Sequence, residues 1–171
     1  GKCTKDVESF MDKEKEYVAT IQLGLQTDTL DKTGIVIKES KVPLLSKNKI
    51  KKVLSEFIGE IKQIPPMYSA LKVKGIPLYK YARNGIIVDR KIRIAKIYKI
   101  SLIAFTNNTI KIKVLCGRGT YIRTLGEDIA KKLKTVGHLI ELKRIRIGEY
   151  DEKRCIKLNK IPEWLSSINF Q

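Results

Sequence analysis

The chain has 171 residues and a mass of 19.6 kDa, the size of one ordinary domain, or of one domain with a tail. Apolar residues make up 43% and charged residues 31%, which suits a packed core and excludes an intrinsically disordered chain. The net charge is +17; no apolar run approaches the ~20 residues that span a bilayer, and the opening segment GKCTKDVESF has no apolar stretch of the signal-peptide kind.

The first predicted elements are a short helix that Thr4 could cap, with Val7, Phe10 and Met11 on one side, and a strand over residues 15–24. In that strand Tyr17, Ala19, Ile21 and Leu23 alternate against Val18, Thr20 and Gln22. Residues 27–34 form a turn-rich loop, followed by a short strand at Ile35-Val36-Ile37. Ser46 opens a helix with Ile50, Val53, Leu54, Phe57 and Ile58 on its inner face, and Gly59 is its expected stop. Ile64-Pro65-Pro66-Met67 must be extended, because proline disfavours helix in the residue before it. Tyr68 to Lys74 reads as strand, and Pro77 starts a short helix that Asn84-Gly85 stops.

Residues 91–105 and 109–116 read as a long hairpin. Ile92, Ile94, Tyr98, Ile100, Leu102 and Ala104 share one face of the first strand, and Ile110, Ile112, Val114 and Cys116 one face of the second. After the tight loop Gly117-Arg118-Gly119, Thr120 is the expected cap of a helix with Ile122, Leu125, Ile129 and Leu133 inward, ending at Gly137. Leu139, Leu142 and Ile145 have helical spacing, and a strand is expected only from Ile145. Strands and helices mix without regular βαβ alternation, which predicts an α+β fold with a mixed, mostly antiparallel sheet.

The positive charge is unevenly spread. Residues 61–148 carry 20 basic and 4 acidic groups, against 11 and 10 in residues 1–60 and four of each in 149–171. Biased genome composition could enrich lysine, but it would not concentrate the excess in one segment. Such a field suits a polyanion, nucleic acid first and an anionic membrane surface second. Cys3, Cys116 and Cys155 are widely spaced and odd in number, so neither a disulfide framework nor a zinc site is indicated, and a reducing cytoplasm is the simplest home. His138 is the single histidine, which excludes multi-histidine metal chemistry.

No phosphate-loop, dinucleotide-binding or zincin motif occurs. Gly117-Arg118-Gly119 before a helix could seat a phosphate or be an ordinary strand-to-helix turn. Asp28 and Asp31 could be an acid–base pair, but Asx-turn and capping chemistry is the stronger reading in so polar a loop. Tyr17 reads as core from its strand position. Arg123 stands in the first turn of its helix, where the dipole disfavours a cation; a nearby carboxylate or phosphate would compensate.

Six stretches occur in order: Lys15-Glu16-Tyr17; Leu23 to Gly34, with Thr27-Asp28-Thr29 at its centre; Gln63-Ile64-Pro65-Pro66-Met67-Tyr68-Ser69-Ala70-Leu71-Lys72; Leu78 to Gly85; Gly117-Arg118-Gly119-Thr120-Tyr121-Ile122-Arg123-Thr124-Leu125; and His138 to Arg144. Together they closely resemble the bacterial TruB family of tRNA pseudouridine-55 synthases, over residues 1 to about 160. The resemblance implies a pseudouridine synthase-like fold and isomerisation of a T-loop uridine in tRNA, without cofactor or metal, by a cytoplasmic and monomeric enzyme. The target nucleotide is flipped out of its loop, as chemistry on a base requires.

The same resemblance implies roles for particular residues. Tyr17 matches an active-site tyrosine that packs on the target base and is a candidate in proton transfer. Tyr121 matches a second pocket tyrosine, Leu142 an apolar wall of the uracil pocket, and Arg118 a position that touches tRNA phosphate. Arg123 matches the arginine that pairs with the catalytic aspartate. That aspartate belongs to a Gly-His-x-Gly-x-Leu-Asp-Pro motif, which is absent from these 171 residues. The chain is therefore expected to be a partial catalytic domain over residues 1–160, inactive alone, with residues 161–171 as a tail leading to an RNA-binding module it lacks. Without its carboxylate, Arg123 should be solvated, disordered or held by a substitute such as Asp28. The competing readings are a non-catalytic RNA-binding protein of the ribosomal kind and a dyskerin-like, guide-dependent synthase.

Overall fold

The computed structural model describes residue 5 and residues 7–167; the expected Thr4 cap lies outside them. Helix α1 (Val7–Asp12) leads into β1 (Lys15–Leu23), β2 (Leu25–Thr27) and β3 (Val36–Glu39). Next come α2 (Lys47–Ser55), β4 (Gly59–Gln63), the two-residue strands β5 (Lys72–Val73) and β6 (Ile76–Pro77), and α3 (Leu78–Arg83). The second half holds β7 (Arg93–Phe105), β8 (Thr109–Cys116), α4 (Ile122–Lys132), β9 (Gly137–Ile147), β10 (Tyr150–Asp151) and α5 (Ile161–Ser167). Six strands form one antiparallel sheet in the order β10-β9-β1-β8-β7-β4. The α+β expectation holds.

Helices α2 and α4 pack on one face of this sheet and close the core. The alternation in β1 and β8 does what it predicts: Ala19, Ile21, Leu23, Ile110, Ile112, Val114 and Cys116 are all buried. They meet Leu125, Ile129 and Leu133 of the α4 side and Ile50, Val53 and Leu54 of α2. Ser46 caps α2 by accepting the Lys49 amide at 3.3 Å.

Several expected boundaries move, each for a local reason. Helix α2 stops at Ser55, not at Gly59, because the amides of Glu56, Phe57 and Ile58 drop back to carbonyls three residues earlier. That tightening swings Ile58 out to 53% exposure. Gly59, with φ +104°, instead opens the unforeseen edge strand β4. In the stretch 68–74 only Lys72–Val73 is strand; residues 68–70 are bends and Lys74 lies in the turn that follows. In β7 the register shifts between Ile97 and Lys99. A bulge adds one residue and flips the faces: Ala95 and Ile97 are buried before it and Ile100 after it, leaving Ile92, Ile94 and Tyr98 exposed.

Residues 137–147 are strand throughout, which corrects the helical reading of Leu139 and Leu142. Opposite β1, Ile21 pairs with Leu139 and Thr20 with Glu141. Ile140 is the extra residue of that bulge, and it is what gives the strand a three-residue apolar spacing. Gly137 does not end α4 either. A Cβ there would lie 2.8 Å from the Gln22 carbonyl oxygen and 2.9 Å from Ala130 Cβ, so glycine is what lets β9 start against β1 and α4.

Candidate functional site

The turn-rich loop after β2 folds on itself around Asp31. Asp31 Oδ1 accepts from the Thr33 hydroxyl at 2.6 Å, the Thr29 hydroxyl at 2.9 Å and the Thr33 amide at 3.0 Å. This is the expected Asx-turn chemistry. Gly34 is required beside it, because a Cβ would strike the Asp28 carboxylate and the Thr29 hydroxyl. The loop docks on β9 through a Leu139 amide to Leu30 carbonyl bond of 3.0 Å and a bridge between Asp31 and Leu139.

Docking places Asp31 beside the first turn of α4. Arg123 Nη1 donates to Asp31 Oδ2 at 3.0 Å and to the Thr29 carbonyl at 2.9 Å, and Nη2 donates to the Tyr68 carbonyl at 2.6 Å. The carboxylate that Arg123 meets is thus Asp31, not Asp28. Asp28 takes the Ile35 amide at 2.9 Å and the Tyr68 hydroxyl at 3.3 Å. Partial burial alone would lift the Asp31 carboxyl; the bonds from Thr33 and Thr29 and the Arg123 charge outweigh it and hold the group below its ordinary value. A charge-assisted pair of this kind, with both members about one-quarter exposed, also removes the dipole mismatch of a cation at a helix start.

Arg123 and Asp31 line a cavity of about 220 Å³ whose other wall is Leu139, Ile140, Glu141 and Leu142 of β9. Arg123 and Leu142, expected at one pocket from the resemblance, do share it. Leu142 is 48% exposed and faces Ala19 across the β1–β9 ladder, with Tyr17 and Arg144 the next pair on that face. Tyr17 therefore stands diagonal to Leu142, half-buried, though it does not line the cavity. Burial raises its phenol pKa, partly offset by a hydrogen bond with Arg144.

Tyr121 is the N-cap residue of α4, two positions before Arg123. Thr120, the expected cap, instead donates its hydroxyl to the Gly117 carbonyl at 3.0 Å. Arg118 is exposed on the loop below and pairs with Asp12 at 2.7 Å. The amides of Gly117 and Tyr121 already donate internally, to the Lys96 carbonyl and to Gln63 Oε1, which leaves less of this turn for an anion than the two glycines advertise. His138 is 6% exposed, with Nδ1 2.8 Å from the Leu25 carbonyl.

A second, larger cavity of about 690 Å³ lies along the other side of α4, between Thr124, Asp128 and Lys131, the segment 64–68 and residues 85–90. It shares no lining residue with the first. Asp28 opens on this larger cavity, so the two loop aspartates face different spaces. Among the described residues no cluster of metal-ligating side chains occurs.

Comparison with known proteins gives concordant results. The family model for the N-terminal domain of TruB family pseudouridylate synthase matches residues 1–122, and that for the tRNA pseudouridylate synthase B C-terminal domain matches residues 123–168. The tRNA pseudouridine synthase B of Hydrogenovibrio crunogenus is 52% identical over 94% of the chain and 53% of its own length. That of Francisella tularensis subsp. novicida is 44% identical over 95% of the chain and 54% of its own length. The chain thus spans about half the length of the curated relatives it matches. Among solved structures, a Cbf5-Nop10-Gar1 complex contains a chain with TM-score 0.70 and 28% identity, covering 96% of this chain and 40% of that one. An H/ACA RNP bound to a substrate RNA containing 2'-deoxyuridine contains another, with TM-score 0.65 and 24% identity, covering 96% and 38%, and it speaks to the fold alone. With both family models matching end to end along the described sheet and helices, this chain belongs to the TruB family of pseudouridylate synthases.

Proposed function

We propose that this chain supplies the arginine side and the apolar wall of a uracil pocket in a tRNA pseudouridine synthase acting on a T-loop uridine. The observation that carries the reading is the shared cavity of Arg123, Asp31 and Leu142. Three of the five guanidinium N–H donors of Arg123 have acceptors, so Nε–H and one Nη2–H remain to hold a second carboxylate and fix its ionised state. Leu142 offers the flipped base an apolar face; Tyr17, diagonal to Leu142 on the sheet, and Tyr121, two residues before Arg123, are the aromatic side chains this reading assigns to the base, though neither lines the cavity. In the reaction the N1–C1′ bond breaks, the base turns, a C5–C1′ bond forms, the C5 proton is lost to solvent and N1 takes up a proton, so that substrate and product are isomers. The working form in this reading is a cytoplasmic monomer on the T-arm of tRNA, using no cofactor. Arg118 exchanges Asp12 for a phosphate, an exchange that an exposed surface pair resists by no more than about 1 kcal/mol.

Asp31 is not the nucleophile in this reading. Both of its oxygens are already engaged, and the other carboxylate of the cavity, Glu141, takes the Thr20 hydroxyl at 2.8 Å. The 171-residue chain alone should therefore give no tritium release from tRNA carrying 5-tritiated uridine. Release above background would make Asp31 the first suspect and overturn the division of roles.

A further inference from the structure

At the start of α4 the chain passes over the better capping residue. Thr120 is a preferred N-cap type, yet the helix begins one residue later. Tyr121 holds the cap position with extended backbone, φ −92° and ψ 101°, and makes no side-chain cap bond. The first turn contains no acid and carries Arg123, a sign that the helix dipole disfavours. Nothing inside the helix sets this starting point.

Gln63 does. It is the last residue of the edge strand β4 and is 1% exposed. Its Oε1 accepts the Tyr121 amide at 3.0 Å, and its Nε2 donates to the Tyr121 carbonyl at 3.2 Å. One side chain thus captures both backbone groups of one residue, as a neighbouring strand would, and a residue paired in this way stays extended. The same Tyr121 carbonyl accepts the Leu125 amide at 3.0 Å, the first bond of α4. A buried amide with no partner is costly, so satisfying both ends of Gln63 on one residue selects this geometry. Two further ties follow directly: the Thr124 hydroxyl reaches the Ile64 carbonyl at 3.5 Å, and Arg123 reaches the Tyr68 carbonyl.

We propose that Gln63 is a positioning residue. It keeps Tyr121 out of the helix and fixes the first turn of α4, so that Arg123 meets Asp31 and faces the cavity. The clamp also joins the base of the 64–90 excursion to the arginine, so a displacement of that excursion is felt at the Arg123–Asp31 pair. The importance of this for isomerisation rests on the reading of Arg123 above; the geometry itself does not.

The test is NMR on the whole chain, comparing wild type with Gln63→Met, which keeps length and loses both hydrogen-bonding groups. The Tyr121 amide should exchange about tenfold faster or more, and Asp31 should titrate closer to the ordinary 3.8, while the amides of β1 and β8 keep their protection. Wild-type exchange at Tyr121 with an unmoved Asp31 titration would overturn the proposal. If Gln63→Met loses protection everywhere, Gln63→Glu takes its place. Ionising that carboxyl against the Tyr121 carbonyl should then speed Tyr121 exchange and shift Asp31, and no response of either would overturn the proposal equally. A Gln63→Met change that frees Arg123 yet leaves tRNA isomerisation by the full-length enzyme undiminished would refute the reading of Arg123 and leave the clamp standing.

Discussion

Asp31 and Arg123 are 92 residues apart in the chain, and only the docking of the 27–34 loop on β9 brings them together. That is why the arginine could be flagged from its awkward place in a helix while its partner could not. The depressed Asp31 carboxyl adds stability above its ordinary pKa, and this is lost as the pH falls through the lower folded-state value. Asp128, on the far side of α4, behaves in the opposite way. Burial raises it to about 6, with Lys131 opposing and Glu127 adding to the rise. Between its ordinary 3.8 and about 6 the folded state binds more protons than the unfolded one, so stability falls as the pH rises through that window. Asp128→Asn should therefore stabilise the chain by ~1 kcal/mol near about pH 7.5, allowing for solvent at a partly exposed group, and by little near about pH 4. Thermal unfolding at the two pH values checks this; equal destabilisation at both would mean that the carboxylate makes bonds the fold needs.

Element boundaries differ from expectation where backbone geometry was carried by residues that do not advertise it. Helix α4 ends in a Schellman motif: the Thr135 amide bonds the Ala130 carbonyl at 3.1 Å and the Lys134 amide the Lys131 carbonyl at 3.0 Å. The residue that must turn left-handed is Lys134, with φ +67°. Glycine is usual there, so the sequence drew attention to Gly137 instead. Lys134→Gly should raise stability by about 0.5–1 kcal/mol, because the left-handed strain of a side chain exceeds the entropy glycine adds to the unfolded state. Denaturant unfolding measures it, and a loss of stability would show that the lysine side chain contributes more than its backbone costs. The bulges at Ile140 and in β7 were equally silent, since one inserted residue exchanges faces without any turn residue to mark it. By contrast, the strict alternation from Ile110 to Cys116 and the Ser46 cap were legible, because local pattern and tertiary burial agree there.

At the scale of the whole molecule, the basic segment 61–148 spans most of the edge strand β4, the neighbouring strands β7 and β8, the excursion between β4 and β7, α4 and all of β9. RNA binding by this chain should weaken steeply with salt, with log K falling by about 0.7 per decade of salt for each single-strand phosphate neutralised. Titration of a T-loop hairpin at several salt concentrations checks this, and tight binding with a flat response would contradict it. Fold class and family were readable from motif order and alternation. Which space receives the base was not, because the two cavities flank one helix and their linings come from segments far apart in sequence. The most direct measurement is therefore a crystal structure of the chain with a T-loop hairpin. The flipped uracil should lie in the smaller cavity, against Leu142 and within reach of Arg123. A uracil seated in the larger cavity beside Asp128 and Tyr68 would contradict that placement.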